Sequence, residues 1–370
     1  MPKDLSFYYK IFLTINLFLL FWGLLEVTLT SIPFSLNRYG TPWYYFSQQL
    51  IKILIGMAIA IIIFFIPFEK IKKLTLIFFP LNFILMFSPF LPKIGLSAGG
   101  ASRWINIFGF QFQPAEFLKI TFFLYLSLWL SKKNSFLKDN RKSIKTYLYF
   151  LLFIGILAIL FLLQKDMGTF LVVLITSLIT FFFAKTKLWQ SVTSLILSIL
   201  LGFIFLITAG YRVKRLQLFL NPEVDPLGLS YQFKQGLYAL GSGGKFGIEK
   251  GFAFGLSRQK FGFLPQPMID SIFCVIGEEL GFFGTTFLII LFLLFGIFVI
   301  KLSQSQKDDF KRLAIISLGS WIVFQAFLNI GGLIGVFPLI GVPLPFFSYG
   351  GSHLISELIS VGIILKLSKE

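Results

Sequence analysis

Apolar residues along this chain fall into ten blocks, near 11–30, 45–66, 74–91, 114–131, 146–163, 168–184, 189–209, 271–300, 313–334 and 349–366, with most polar residues gathered between them. A helix needs about 20 apolar residues to cross a hydrocarbon core, and only helices and closed barrels satisfy their own backbone there. The pattern therefore predicts an all-α integral membrane protein of about ten transmembrane helices. One connection is long, a large extracytoplasmic loop over residues 210–270 between helices 7 and 8. Within it Tyr231, Phe233, Leu237, Tyr238 and Leu240 recur at a spacing that predicts a short helix on the membrane surface, capping the bundle. Residues 98–113 and 335–352 carry more glycine, proline and polar character than a turn needs, so with the long loop they predict a polar cavity open to the outside. The whole reads as a single polytopic membrane domain, 1–370.

Composition agrees: hydrophobic residues are 56% of the chain, charged residues 13%, and mean hydropathy is +0.85. The net charge of +17 would suggest nucleic acid in a soluble protein, so the distribution of the basic residues decides. With the N-terminus inside, the cytoplasmic segments hold roughly nineteen Lys and Arg and the short outer loops about four. Lys132, Lys133, Lys138, Arg141, Lys142 and Lys145 share one inner loop. The asymmetry predicts a multi-pass membrane protein with both termini cytoplasmic, its partners membrane lipid and no nucleic acid. The first run follows Lys3 and Lys10 without a small-residue cleavage site, and is expected to stay as the first helix. A single cysteine, Cys274, and a single histidine, His353, exclude an intramolecular disulfide and a Cys- or His-cluster metal site. A metal, if one takes part, would be a divalent cation such as Mg or Mn, held by carboxylates, phosphates and water. No organic cofactor is indicated.

Charges at the edges of apolar runs carry information, since each costs about 2.5–3.5 kcal/mol to insert and needs a partner or a cavity. Glu116 and Lys119 follow Pro114 three residues apart on one helical face, as a self-neutralising pair or as cavity groups. Asp166 lies between two runs, where it could cap the next helix or serve a site. Glu278 and Glu279 enter the eighth helix side by side, so at most one is expected to face a cavity, a structural hydrogen bond being the commoner role. Asp270 stands where the long loop meets the eighth helix. It could be an N-cap, but Met268, Ile269 and Phe273 supply an apolar setting that suits a general base. Arg103, Arg258 and Lys260 lie on the same outer side and suit a diphosphate or an interfacial anchor. Trp104 reads first as an interface-belt aromatic.

Several segments, in order, resemble the shape, elongation, division and sporulation (SEDS) family over nearly the whole chain. They are Gly99 to Ile105, Phe112 to Lys119, Gln164 to Thr169, Gln232 with Gln235 to Gly244, Gly255 to Pro265, Asp270 to Gly281, and Pro343 to Ser352 with Ser348 inside it. The resemblance implies a peptidoglycan glycosyltransferase that polymerises lipid II, an undecaprenyl diphosphate-linked donor, at the outer membrane face. It implies Asp270 as catalytic acid, Arg103, Trp104, Glu116, Lys119 and Asp166 as lining or support of the cavity, and a class B penicillin-binding protein as partner. Arg258, Lys260 and Ser348 are taken with the substrate-binding cavity. The sequence departs from the family at Gln266, Pro267, Met268 and Ile269, where a glutamate and a threonine are usual, at Lys165, where proline is common, and in a longer stretch around 248–254. Ser257 to Lys260 resembles the division branch more than the elongation branch. A lipid II transporter, an O-antigen ligase or polymerase, and a non-catalytic scaffold for a penicillin-binding protein are the competing readings.

Overall fold

The computed structural model describes residues 3–98, 101–107, 109–133, 139–207, 210–221, 229–248 and 253–369. Gly99, Gly100, Lys138 and most of the longer stretch at 248–254 lie outside the described residues. The helices are α1 (Lys3–Tyr39), α2 (Tyr44–Phe65), α3 (Phe68–Leu85), α4 (Pro114–Lys133), α5 (Asn140–Leu163), α6 (Met167–Phe183), α7 (Leu188–Ile207), α8 (Gly210–Leu220), α9 (Leu229–Ser242), α10 (Ile272–Gln304), α11 (Asp309–Leu333) and α12 (Ser352–Lys369). Each of the ten apolar blocks is helical, with shifted ends. Six of these helices are long and apolar enough to span a bilayer, and α6 and part of α7 are apolar but shorter. The other two, α4 and α12, carry the interior polar residues and are wrapped by neighbours instead of lipid.

Helix α11 is the axis. It packs on α4, α6, α10 and α12, and 78% of its most apolar stretch is buried, against 17% for α2, which faces outward. The large apolar residues left exposed, such as Phe65, Ile84 and Leu188, lie on membrane-length or apolar helices, where lipid is their solvent. Without a hydrophobic drive between helices in lipid, close approach needs small residues. Helices α2 and α12 meet through Gly56, Ala60 and Gly362: a Cβ on Gly362 would lie 2.7 Å from that of Ala60.

Residues 95–112 contain an antiparallel three-stranded sheet, β1 (Gly95–Ala98), β2 (Ala101–Ile107) and β3 (Phe110–Phe112), where the sequence predicted only a polar outer segment. The sheet satisfies backbone groups that an irregular loop near lipid would leave open. The surface helix expected around 231–240 is α9, which packs on α10, with α8 beside it.

Candidate active site

Helix α10 begins with Ser271 at its N-cap, so Asp270 sits one residue before the helix and is not its capping acid. The backbone at this junction is held by separate donors to three successive carbonyls. Tyr349 N–H donates to Met268 (2.7 Å), the Ser348 hydroxyl to Ile269 (2.6 Å), and the Asn329 side-chain amide to Asp270 (3.0 Å). The same Asn329 amide donates to the Val342 carbonyl at 2.8 Å, tying α11 to both segments. Ser348 also accepts from Leu344 N–H at 2.7 Å, and Gln232 of α9 donates to the Ser271 hydroxyl at 3.0 Å. Helix α12 starts at Ser352, later than the apolar pattern implied.

Asp270, half-buried, lines a small cavity with Leu218 and Phe219 of α8, Ser230, Gln232 and Phe233 of α9, and Leu339 and Gly341. Gly341 has φ +73°, and a Cβ there would lie 3.6 Å from an Asp270 carboxylate oxygen. A side chain at 341 would therefore be strained and would crowd the acid.

Arg103 and Asp166 form the second centre. The Arg103 guanidinium lies 3.5 Å from the Asp166 carboxylate and also donates to the Lys165 carbonyl. Asp166 caps α6 by accepting from Thr169 N–H at 3.4 Å and takes a 3.2 Å bond from the Gln113 amide. Both the capping and the site readings of Asp166 thus have a physical basis. Two residues on, Gly168 abuts Ile340 and Val342, so the 340–342 segment runs between this ion pair and Asp270. Trp104 is half-buried in β2, paired with Leu96.

Two expected cavity cations lie elsewhere. Lys119 is 1% exposed, 2.8 Å from Glu116 and 2.7 Å from the Gln325 side-chain oxygen, with its ammonium 4.6 Å above the Trp321 ring. Gln325 reaches the Pro343 carbonyl at 3.1 Å, and Glu357 accepts from Phe346 N–H at 2.9 Å. The Glu116–Lys119 ion pair expected from their spacing is present, within a buried network beneath the 343–346 segment, and neither residue is among the described lining of the Asp270 cavity. Burial favours that arrangement because a lone ammonium in the bundle would be far costlier than a paired one.

Lys260 is enclosed as well. It is 2% exposed, bonded to the carbonyls of Leu29 (3.2 Å) and Gly255 (2.5 Å), and 3.5 Å from Glu279. Glu279 accepts from Gly255 and Ser257 N–H, while Glu278 accepts from Arg258 and Gln259 N–H and from the Ser257 hydroxyl. The two glutamates hold the 255–260 loop, the structural role expected of them. The loop reaches them because α10 breaks at Gly281 (φ +64°), where residues 243–247 insert against its backbone. Arg258 stays exposed at the surface.

Asn329, Gln325, Ser230 and Glu357 were not singled out in the sequence, and Gln232 only within a segment that carries the family resemblance. A polar side chain inside an apolar run was the available signal, and Asn329 and Gln325 stand one turn apart on α11.

Apolar helices around a buried polar network, with an acid-edged cavity roofed by loop helices, define a polytopic α-helical membrane protein with a site at one end of its bundle. The chain belongs to the FtsW, RodA and SpoVE family, whose model, described as Cell cycle protein, matches residues 9–370. It is 35% identical over 364 residues to a probable peptidoglycan glycosyltransferase FtsW of Wigglesworthia glossinidia brevipalpis, covering 97% of this chain and 93% of that one. Stage V sporulation protein E of Bacillus subtilis (strain 168) is 33% identical over 359 residues, with 96% and 95% covered. Among solved structures, one titled "Structural coordination of polymerization and crosslinking by a peptidoglycan synthase complex" matches with TM-score 0.72 and 25% identity over 94% of this chain and 97% of that chain. The fold also matches the rod shape determining protein RodA of Thermus thermophilus, with TM-score 0.63, 24% identity, and 94% and 96% covered.

Proposed function

We propose that this chain is a peptidoglycan glycosyltransferase that polymerises lipid II into glycan strands at the outer face of the plasma membrane, in the division branch of its family. The observation that carries the reading is Asp270 at the edge of the roofed cavity, its backbone pinned by Tyr349, Ser348 and Asn329. A base whose position is fixed by rigid neighbours suits a transfer that depends on orientation. Asp270 takes the proton of the acceptor 4-hydroxyl as that oxygen bonds to the donor's anomeric carbon and the bond to the diphosphate breaks. Arg103 and Arg258 are the basic groups left to meet the diphosphate, since Lys119 and Lys260 are enclosed, and Asp166 and Trp104 support Arg103.

The cavity offers hard oxygen donors, the Asp270 carboxylate, the Ser230 hydroxyl and the Gln232 amide oxygen, and among the described residues no three His, Cys, Asp or Glu side chains gather to hold a metal. That set fits Mg or Mn arriving with the diphosphate, where it would offset the charge of the departing phosphates. The continuous hydrophobic core supports one membrane domain over 1–370, the Lys and Arg asymmetry supports cytoplasmic termini, and the peptidoglycan synthase complex among the fold's matches supports a class B penicillin-binding protein as partner. The test is glycan polymerisation from lipid II by purified wild type and Asp270→Asn, each with a transferase-inactive partner and a divalent cation. Polymer from wild type and none from the variant is expected. Absence of polymer from both would sink the reading and return a transporter or scaffold to the lead.

A further inference from the structure

Helix α2 carries one charged residue in its interior, Lys52, which the sequence reading passed over. An ammonium inside a membrane helix costs about 2.5–3.5 kcal/mol unless paired. Among the described residues no carboxylate comes within ion-pair distance of Lys52. Its head sits 3.8 Å from the centre of the Tyr349 ring, and its stem runs along Gly351. That ring ends an aromatic row along the α1–α2 turn: Tyr45 packs edge-on against Tyr349 at 5.1 Å, and Tyr39 meets Tyr45 at 5.9 Å and stacks on Tyr44 at 3.6 Å. Arg38 lies over Tyr39 at the exposed end of the row. Tyrosines with basic residues mark the headgroup level of a bilayer.

Lys52 lies eight residues into α2, about 12 Å below its first residue. Side chains tilt toward a helix N-terminus, which for α2 is the outer end in the proposed orientation, so the ammonium rises about 6 Å toward the phosphates. Lys52 is half-buried at the border between the α2 face packed on α12, where Gln49 and Gly56 are buried, and the face open to lipid, where Ile51 and Ile55 are exposed.

We propose that Lys52, with the Tyr349 ring beneath it, binds the phosphate of an outer-leaflet lipid on the α2 face of the 345–351 segment, the opposite side of that segment from its contacts to Met268 and Ile269. The placement rests on the orientation given under the proposed function, but the test does not use polymerisation. A lipid phosphate supplies the missing countercharge, and the same chemistry could come from an anionic phospholipid or from a polyprenyl diphosphate.

The experiment is native mass spectrometry of the purified full-length chain titrated separately with phosphatidylglycerol, undecaprenyl diphosphate and phosphate-free diacylglycerol, for wild type, Lys52→Met and Lys52→Arg. Wild type should retain one more phosphate-bearing lipid than Lys52→Met, with apparent affinity about tenfold or more higher, as a charge-assisted contact implies, and Lys52→Arg should keep it. Preference for phosphatidylglycerol would identify a structural lipid, and preference for undecaprenyl diphosphate a substrate station. Met is apolar on a lipid-facing helix, so the variant should fold, which its thermal unfolding checks. Equal retention by wild type and a folded Lys52→Met, or equal binding of diacylglycerol, would overturn the proposal, whatever the polymerisation assay gives.

Discussion

Replacing Lys119 by methionine separates a structural lysine from one that meets substrate. The substitution removes the 2.8 Å ion pair to Glu116, the 2.7 Å bond to Gln325 and the stacking on Trp321. Glu116 would keep a 3.4 Å bond from Ser356 and no cation, in a site where it is 3% exposed. Breaking a buried pair from one side costs about 3–5 kcal/mol. Adding Glu116→Gln removes the stranded charge, while Gln325 retains its 3.0 Å bond from the Trp321 indole, so the double variant should lose only about 1–2 kcal/mol, the scale of unmade hydrogen bonds. The assay pairs unfolding in detergent with lipid II polymerisation for wild type, both single variants and the double. Stability and activity should fall together in Lys119→Met and recover together in the double variant. A double variant as stable as predicted yet inactive would refute the structural assignment and place Lys119 on the substrate.

Asn329→Ala removes the amide that holds the Asp270 and Val342 carbonyls, and turnover should fall about tenfold or more with little change in lipid II KM, measured by single-turnover and steady-state polymerisation. Gly243→Ala would place a Cβ 1.9 Å from the Gly277 carbonyl oxygen, forcing α9 away from α10 and carrying Gln232 off Ser271. Stability should drop by about 1–3 kcal/mol or more, the cost typical of overpacking, read as a lower unfolding temperature, and polymerisation should be lost with it.

The ten helical blocks were legible because in lipid the signal for a helix is run length, and it survives without amphipathic periodicity. The sheet was not: its strands are four, seven and three residues long, and in so short a stretch alternation cannot be told from a polar loop. The structure brings together the segments of Asp270 and Ser348, both marked in the sequence as candidates, and encloses Lys119 and Lys260, which the sequence placed with the cavity. A search for charges finds lysines but not which way the chain later folds over them. Lys260 is enclosed by the carbonyls of Leu29 on α1 and Gly255 in its own loop and by Glu279 on α10, a non-local arrangement. Asn329 escaped because an amide adds no charge to an apolar run, although its two donated bonds fix the backbone beside the acid.

These anchors have a common consequence for the chemistry. Asp270 is held through Asn329 and the 344–349 segment, and Arg103 through Asp166 at the start of α6. The two centres share one wall, because Gly168 of α6 packs on Ile340 and Val342, while Gly341 between them faces the Asp270 carboxylate. A transfer in which one group removes a proton while another meets a diphosphate depends on the distance between base and cation more than on either alone. On the proposed mechanism that distance depends on residues 340–342, where the Ile340 and Val342 side chains leave little room for a Cβ at Gly168 and Gly341 would be strained by one. The Gly335 to Ser352 segment, which the sequence marked by its prolines and polar residues, would on that mechanism act as the spacer that keeps acid and arginine in register.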